Sequence, residues 1–317
     1  RVLRKDLQLI FQDPYSSLNP RMTVGQIIGE GLTSHGIFKR GDPAMKDYIF
    51  QVMEDCGLSS YMFNRYPHQF SGGQRQRIGI ARSLALSPKF VVCDEAVSAL
   101  DVSIQSQILN LLSELREKAG LTYLFITHDL SVVKYISDRI AVMYLGNIVE
   151  LADSEELFAR TLHPYTEALL SAIPTTEEDN GGRERILLEG DIPSPVNPPK
   201  GCKFHTRCRY CQEKCRQETP QWQDMGNHHF VACHFPLKGE KAQSRIERQK
   251  SGGTLPGGFE KNTPGKTRPH CHDSSRAHRV YTSFADCVAC IWPGTVFLLF
   301  PFFIILTKSP RDGHCRP

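Results

Sequence analysis

The segment that most limits the possible folds is a short apolar run, Phe90 to Cys93, that ends in two carboxylates, Asp94 and Glu95. Such an uninterrupted apolar run is typical of a strand buried on both faces of a parallel sheet. The carboxyl ends of these strands are where α/β folds bind ligands. Asp94 can hold Mg²⁺ there, usually through water, and Glu95 can orient or deprotonate an attacking water. The sequence therefore predicts an α/β fold with a magnesium-dependent site at this strand end.

A candidate anion site precedes the apolar run. Ser71, Gly72, Gly73 and Gln74 open a segment with helical spacing of apolar residues, which Pro88 ends. Two adjacent glycines at a helix start leave backbone N–H groups bare at the positive end of the helix dipole. This pattern predicts a helix N-terminus suited to a phosphate.

A third motif, Ser98-Ala99-Leu100-Asp101, follows the two carboxylates. The three motifs in this order resemble the signature, Walker B segment and D-loop of the ABC-transporter ATPases. The resemblance implies a partial P-loop NTPase domain of α/β class, with a parallel-sheet core and a helical signature subdomain. It also implies that Asp94 binds Mg²⁺, that Glu95 is the general base and that Asp101 links two nucleotide sites.

In this family two ATP molecules lie between two ATPase subunits. The resemblance therefore implies that Ser71, Gly72, Gly73 and Gln74 contact the γ-phosphate of an ATP molecule held by the partner subunit. Hydrolysis closes and reopens such a dimer, which moves the permease between inward-facing and outward-facing states.

Two further predicted strands end in polar side chains. Leu7 to Phe11 precedes Gln12, and Tyr123 to Thr127 precedes His128. Gln12 resembles the Q-loop glutamine, which reaches Mg²⁺ and the attacking water. His128 resembles the H-loop histidine, which contacts the γ-phosphate and the water. A lone histidine is usually structural, but the strand context and the spacing from Glu95 favour the functional interpretation.

The segments around these motifs point to one branch of the family. Tyr15 to Pro20 and Tyr66 to Gln69 are similar to the oligopeptide/dipeptide importers. Residues 22–69 have amphipathic helical spacing, interrupted near Gly36 and Gly41, and in the family this subdomain receives a coupling helix of the permease. Residues 140–150 predict a β-hairpin that closes the ATPase domain.

Five cysteines lie close together, at Cys202, Cys208, Cys211, Cys215 and Cys233. Thiolates at short intervals can converge on a soft ion or an iron–sulfur cluster. This region resembles the C-terminal part of oligopeptide/dipeptide importer ATPases, where the cysteines matching Cys202, Cys208, Cys215 and Cys233 can hold a [4Fe–4S] cluster. Cys211 lies outside that pattern and could replace one of the four. Zinc and unligated thiols are the alternatives.

The charge distribution separates the tail from the core. The chain of 317 residues has a net charge of +4, but residues 238–317 hold 13 Lys and Arg against 6 Asp and Glu. The preceding part is therefore acidic overall, which gives no support for nucleic-acid binding. We expect an ATPase domain at 1–160, with its helical subdomain at about 22–87, then a helix and Pro-rich linker at 161–200. We also expect a Cys-rich region at 201–237, followed by a disordered or non-native tail at 238–317.

A phosphate-cradling P-loop requires Gly, four residues and then Gly-Lys-Ser/Thr. The family carries it before the Q-loop, and this sequence starts too late to include it. Gly265-Lys266-Thr267 is similar, but Glu260 occupies the position of the first glycine and the segment follows Walker B. The expectation is that the chain supplies the signature half of a partner's site and binds its own ATP poorly.

The prediction from the sequence is an ATPase subunit that powers import of di- and oligopeptides, with ATP and Mg²⁺ as cofactors. Its expected partners are a second, related ATPase subunit, two transmembrane permease subunits and, indirectly, an extracytoplasmic peptide-binding protein. Its expected location is the cytoplasmic face of the plasma membrane. The alternatives are an ABC ATPase that serves no permease, a non-catalytic partner subunit, and a metal-binding module with a vestigial ATPase portion.

Overall fold

The structure is a computed structural model that describes residues 3–173, 185–238 and 303–307. The helices are α1 (Leu3–Asp6), α2 (Pro14–Ser17), α3 (Val24–Ser34), α4 (Pro43–Asp55), α5 (Gly72–Leu84), α6 (Val102–Ala119), α7 (Leu130–Ile136), α8 (Ser154–Ala159), α9 (Pro164–Ser171) and α10 (Glu213–Gln217). The strands are β1 (Leu7–Ile10), β2 (Phe90–Asp94), β3 (Thr122–Thr127), β4 (Arg139–Tyr144), β5 (Asn147–Asp153), β6 (Gln223–Asp224), β7 (Phe230–Val231) and β8 (Phe303–Thr307).

The centre of the fold is a parallel sheet formed by β1, β2 and β3. Ile10 pairs with Cys93, and Asp94 pairs with Ile126, so the three strands end at the same edge. Val91 and Cys93 of β2 and Tyr123 and Phe125 of β3 are fully buried, and Phe90 and Val92 are partly buried, which explains the apolar run in the sequence. The expected α/β core with parallel strands is therefore present.

The hairpin predicted at residues 140–150 consists of β4 and β5, which pair antiparallel. Between β3 and β4 lies β8, which pairs antiparallel with both. The sequence analysis predicted no ordered element in the tail, and the structure places this strand there. The other tail residues, including Gly265-Lys266-Thr267, lie outside the described residues.

The helical subdomain contains α3, α4 and α5, which pack against one another. The start of α3 is fixed by a capping box, in which the Thr23 hydroxyl accepts from the Gln26 N–H and the Gln26 side chain accepts from the Thr23 N–H. Asp42 caps α4, directly before a proline at its first turn. Local sequence therefore determines where these helices begin, and their apolar faces form the shared core.

The cysteine-rich region packs against the ATPase domain. Strand β7 pairs antiparallel with β5, and Phe204, 1% exposed, contacts the rings of Tyr144 and Tyr165. The described residues 3–173, 185–238 and 303–307 belong to one compact unit. Within the described ranges, no helix is both long enough and apolar enough to cross a membrane.

Candidate functional site

The carboxylate of Glu95 is held by side chains from three loops. Gln12 Nε2, after β1, donates a hydrogen bond to Oε2. Ser98 Oγ lies 3.2 Å from the same oxygen, and His128 Nδ1, after β3, lies 3.1 Å from Oε1. The side chain of Glu95 is 8% exposed, so these contacts act where water screens little. The structure therefore brings together the predicted residues Gln12, Glu95 and His128.

Strand register explains this convergence. The parallel strands β1, β2 and β3 end side by side, and Gln12, Glu95 and His128 each follow one of them. Glu95 has a left-handed backbone with a φ of +44°, which costs a non-glycine residue free energy. Its N–H nevertheless continues the sheet by donating to the Ile126 carbonyl at 2.9 Å. The chain thus turns sharply at Glu95, while the backbone of this residue stays attached to the edge of the sheet.

Asp94 lies at the last position of β2 and is half-buried. Burial raises the pKa of Asp94, and the neighbouring negative charge of Glu95 raises it further. A divalent cation would offset both effects, because it stabilises the ionised carboxylate. The oxygens of Asp94 and of the Gln12 amide are the ligand type that Mg²⁺ prefers. The residues present therefore fit the predicted magnesium site.

The signature residues form the start of α5. Ser71 Oγ accepts from the Gln74 N–H at 3.4 Å, and Gln74 Oε1 accepts from the Ser71 N–H at 3.2 Å. This capping box means that the two polar side chains shape the helix N-terminus itself. A Cβ on Gly73 would lie 2.5 Å from Ile104 Cγ2, so glycine is needed for close packing against α6. Ser71 and Gly72 are exposed.

Asp101 is the residue that caps α6, although its side chain makes no capping hydrogen bond. It is exposed, as a residue that reaches another subunit needs to be. No hydrogen bond or ion pair joins Ser71, Gly72, Gly73 or Asp101 to the Glu95 carboxylate within the part of the chain that the structure describes. The signature residues thus take no part in the hydrogen bonds that hold the Glu95 carboxylate.

Two positioning contacts were not predicted from the sequence. Ser98 belongs to the D-loop motif, yet its hydroxyl lies beside the Glu95 carboxylate and 2.9 Å from the Glu95 carbonyl. Gln105 Nε2, one turn into α6, donates to Asp129 Oδ2 at 3.1 Å, beside His128. The segment from Ser98 to Gln105 is therefore connected both to Glu95 and to the loop that carries His128. The sequence signal that could have indicated these contacts is the position of Ser98 between Glu95 and the start of α6.

Four of the five clustered cysteines line a small cavity. Cys202, Cys208, Cys215 and Cys233 line it, together with His163, His205 and His234, whereas Cys211 does not. Burial, together with the neighbouring cysteines, raises the pKa of Cys233 to about 12 and that of Cys208 to about 11. No group of His, Cys, Asp and Glu forms a site for a metal ion in the described ranges. The four predicted cysteines thus line one cavity, but they are not arranged to bind a single metal ion.

A buried carboxyl group fastens this region to the ATPase domain. Glu150, on β5, is 0% exposed and accepts from the backbone N–H groups of Leu162 and His163, at 2.7 and 3.1 Å. His229 Nε2, also 0% exposed, lies 2.8 Å from Glu150 Oε1. Its Nδ1 lies 3.5 Å from Glu156 Oε1. Sequence reasoning did not single out this network.

Comparison with family models gives two matches. Residues 1–98 match the ABC transporter model, and residues 149–215 match the model of the oligopeptide/dipeptide transporter C-terminal region. The first match covers the Glu95 site up to Ser98, and the second covers Glu150, His163 and three of the four cavity cysteines.

Curated relatives are similar over most of the chain. The oligopeptide transport ATP-binding protein AppF of Bacillus subtilis is 52% identical over 234 residues, covering 74% of this chain and 70% of the relative. OppF of Haemophilus influenzae, with the same description, is 52% identical over 73% of this chain and 69% of the relative. Among solved structures, cbiO1 from Clostridium perfringens, part of the ABC transporter complex cbiONQ, has a TM-score of 0.44 at 27% identity. That alignment covers 49% of this chain and 60% of the other.

Proposed function

Since this chain belongs to the ABC transporter ATPases, in the branch of the oligopeptide/dipeptide transporters, we propose that it hydrolyses ATP to power the import of di- and oligopeptides through a membrane permease. The observation that carries the proposal is the convergence of Gln12, Ser98 and His128 on the buried carboxylate of Glu95. A carboxylate fixed at the carboxyl end of a parallel sheet is suited to act as a general base.

In this mechanism Glu95 accepts a proton from the attacking water. Gln12 and His128 hold the carboxylate and contact the water and the γ-phosphate. Asp94 and Gln12 are the residues that would hold Mg²⁺, which neutralises charge on the phosphates when bound. The left-handed turn at Glu95 fixes the carboxylate before substrate arrives, so little reorganisation is needed at the moment of reaction.

The partners in this proposal follow from the exposed motifs. Ser71 and Gly72 are exposed, which suits a helix start that binds nucleotide held by a second, related ATPase subunit. Asp101 is exposed as well, so it is also accessible to the second subunit. The permease would bind the helical subdomain, and an extracytoplasmic binding protein would deliver the peptide. Such a subunit works at the cytoplasmic face of the plasma membrane.

The finer part of the proposal is a [4Fe–4S] cluster in the cavity lined by Cys202, Cys208, Cys215 and Cys233. A single zinc ion needs its sulfurs within about 2.3 Å of one point, and the described residues offer no such group. The four corners of a cluster hold cysteine sulfurs farther apart. Thiolates alone are the usual ligands of such clusters, and the cavity supplies four thiols from one region of the chain. Cys211 does not line this cavity, so the ligand set excludes it.

The test is peptide uptake by the assembled transporter. The chain is reconstituted in liposomes with its permease and second ATPase subunit, and labelled peptide uptake and ATP hydrolysis are measured together. We expect Glu95→Gln to lower hydrolysis by about 10²- to 10⁴-fold and to abolish uptake, because the amide cannot accept the proton. Glu117→Gln, the same change at an exposed position on α6, is the matched control.

Unchanged hydrolysis in Glu95→Gln would contradict the assignment of the base. Hydrolysis that depends on Glu95 without any association with membrane subunits would instead indicate an ABC ATPase that serves no permease. Metal analysis of the purified chain tests the cluster separately, because it requires neither partner nor nucleotide.

A further inference from the structure

Three histidines line the cysteine cavity: His163, His205 and His234. A neutral imidazole carries one N–H, and the hydrogen bond made by one ring nitrogen determines which nitrogen holds the proton. Their hydrogen bonds therefore show which of these rings can donate a proton toward the cavity.

Two of the rings use their N–H on backbone carbonyls. His205 Nδ1 lies 2.9 Å from the Cys202 carbonyl, and His234 Nε2 lies 2.9 Å from the Glu218 carbonyl. A carbonyl oxygen can only accept, so these nitrogens carry the proton. The other nitrogen of each neutral ring is an acceptor and cannot donate to a group in the cavity.

His163 has the opposite arrangement. Its Nδ1 lies 3.1 Å from the backbone nitrogen of Tyr165, at the start of α9. A backbone N–H can only donate, so Nδ1 is unprotonated and the ring proton is on Nε2. Within residues 3–173, 185–238 and 303–307, Nε2 has no hydrogen-bond partner. His163 is thus the cavity histidine with an unused N–H.

The ring is held firmly in this state. His163 is 1% exposed, its backbone N–H donates to Glu150, and its ring packs 5.7 Å from that of Phe204. Because Nδ1 accepts from the Tyr165 N–H, the ring is neutral and its single proton is on Nε2. A neutral ring with a fixed tautomer supplies one N–H in a constant direction.

We propose that His163 donates its Nε2–H to a sulfur of the cluster held by Cys202, Cys208, Cys215 and Cys233, and thereby raises the reduction potential of the cluster. This inference rests on the proposed cluster. Reduction adds negative charge, and a hydrogen bond to sulfur stabilises the more negative state. In this proposal the His163-Pro164-Tyr165 segment has two roles: Nδ1 accepts from the Tyr165 N–H at the start of α9, and the Nε2–H is left for the cluster.

Two substitutions separate these roles. His163→Asn keeps an acceptor near the position of Nδ1, which can still cap α9, and removes the Nε2–H. His163→Gln places an amide N–H near the position of Nε2 and loses the cap. His205→Asn is the matched control, because His205 lines the same cavity without an N–H available to it.

The full chain is purified without oxygen, iron and acid-labile sulfide are measured, and the midpoint potential is followed by electron paramagnetic resonance. We expect His163→Asn to shift the reduction equilibrium about tenfold toward the oxidised cluster, which is about 59 mV for one electron. His163→Gln and His205→Asn should keep the parent potential.

An unchanged potential in a cluster-loaded His163→Asn variant would overturn the proposal while leaving the cluster itself established. A parent chain without iron and sulfide would refute the cluster and this inference together. If His163→Asn loses its cluster, the midpoint potential of His163→Gln tests the proposal instead. A potential equal to that of the parent chain would support it, and a lower potential would overturn it. Loss of the cluster from both variants would assign His163 a purely structural role and overturn the proposal.

Discussion

Replacing Glu150 with leucine should separate the stability of the cysteine region from the chemistry of the ATPase site. The carboxyl group accepts from Leu162 N–H, His163 N–H and His229 Nε2, at 2.7, 3.1 and 2.8 Å. Leucine has a similar volume and offers no acceptor. Three buried donors would then lose their partner at once.

Each unsatisfied buried donor costs about 1–3 kcal/mol, and local relaxation recovers part of the sum. We therefore expect Glu150→Leu to lower the free energy of unfolding by about 3–5 kcal/mol. Glu150→Gln keeps one acceptor oxygen and should lose about 1–2 kcal/mol.

The assay is urea unfolding followed by tryptophan fluorescence. Trp222 is a local reporter, because its ring stacks on Phe230 of β7, the strand that pairs with β5. The second tryptophan, Trp292, is replaced with phenylalanine in every variant. Glu117→Leu, on the exposed face of α6, is the control and should stay within about 0.5 kcal/mol of the parent.

A Glu150→Leu variant within 1 kcal/mol of its parent would refute this reasoning. It would mean that Leu162, His163 and His229 find other acceptors, or water, when the carboxyl group is removed. The order of the three stabilities is a second test. The free energy of unfolding of Glu150→Gln should lie between those of the parent and of Glu150→Leu, because glutamine removes the charge and keeps an acceptor.

Two further predictions concern the D-loop and the signature. Ser98→Ala should lower kcat of the assembled transporter about tenfold with little change in KM, because the Glu95 carboxylate loses a positioning contact, and Ser98→Thr should restore most of the rate. If Ser98→Ala lowers the residual hydrolysis of Glu95→Gln by the same factor, Ser98 does not act through Glu95. Gly73→Ala should cost about 1–3 kcal/mol in urea unfolding, because the new Cβ would lie 2.5 Å from Ile104 Cγ2. Ile104→Ala should relieve that clash, and a Gly73→Ala variant as stable as the parent would show that α5 shifts without cost.

The sequence could predict the elements whose signals are local. The apolar run before Asp94 predicted the buried strand β2, and the alternation with helical segments predicted parallel neighbours. The roles of Gln12, Glu95 and His128 were implied by the family resemblance, and the parallel strands β1, β2 and β3 place these residues at the same edge of the sheet. The capping residues likewise determined where α3 and α5 begin.

The sequence could not predict contacts that depend on packing between distant segments. Glu150 and His229 are 79 positions apart, and neither lies in a pattern that would distinguish it from an exposed residue. Two facts about the cavity also needed the fold: Cys211 does not line it, and Nδ1 accepts a hydrogen bond in His163 but donates one in His205.

The sequence by itself thus determined the chemistry at the strand ends, because period, strand direction and residue type are local properties. The tertiary structure decided which side chains share a buried space and which nitrogen of a ring carries the proton. It also placed Phe303–Thr307 between β3 and β4, a pairing that joins residues far apart in the chain. The physical reason is that burial and hydrogen-bond partners arise from the whole set of packed elements, which no single window of sequence contains.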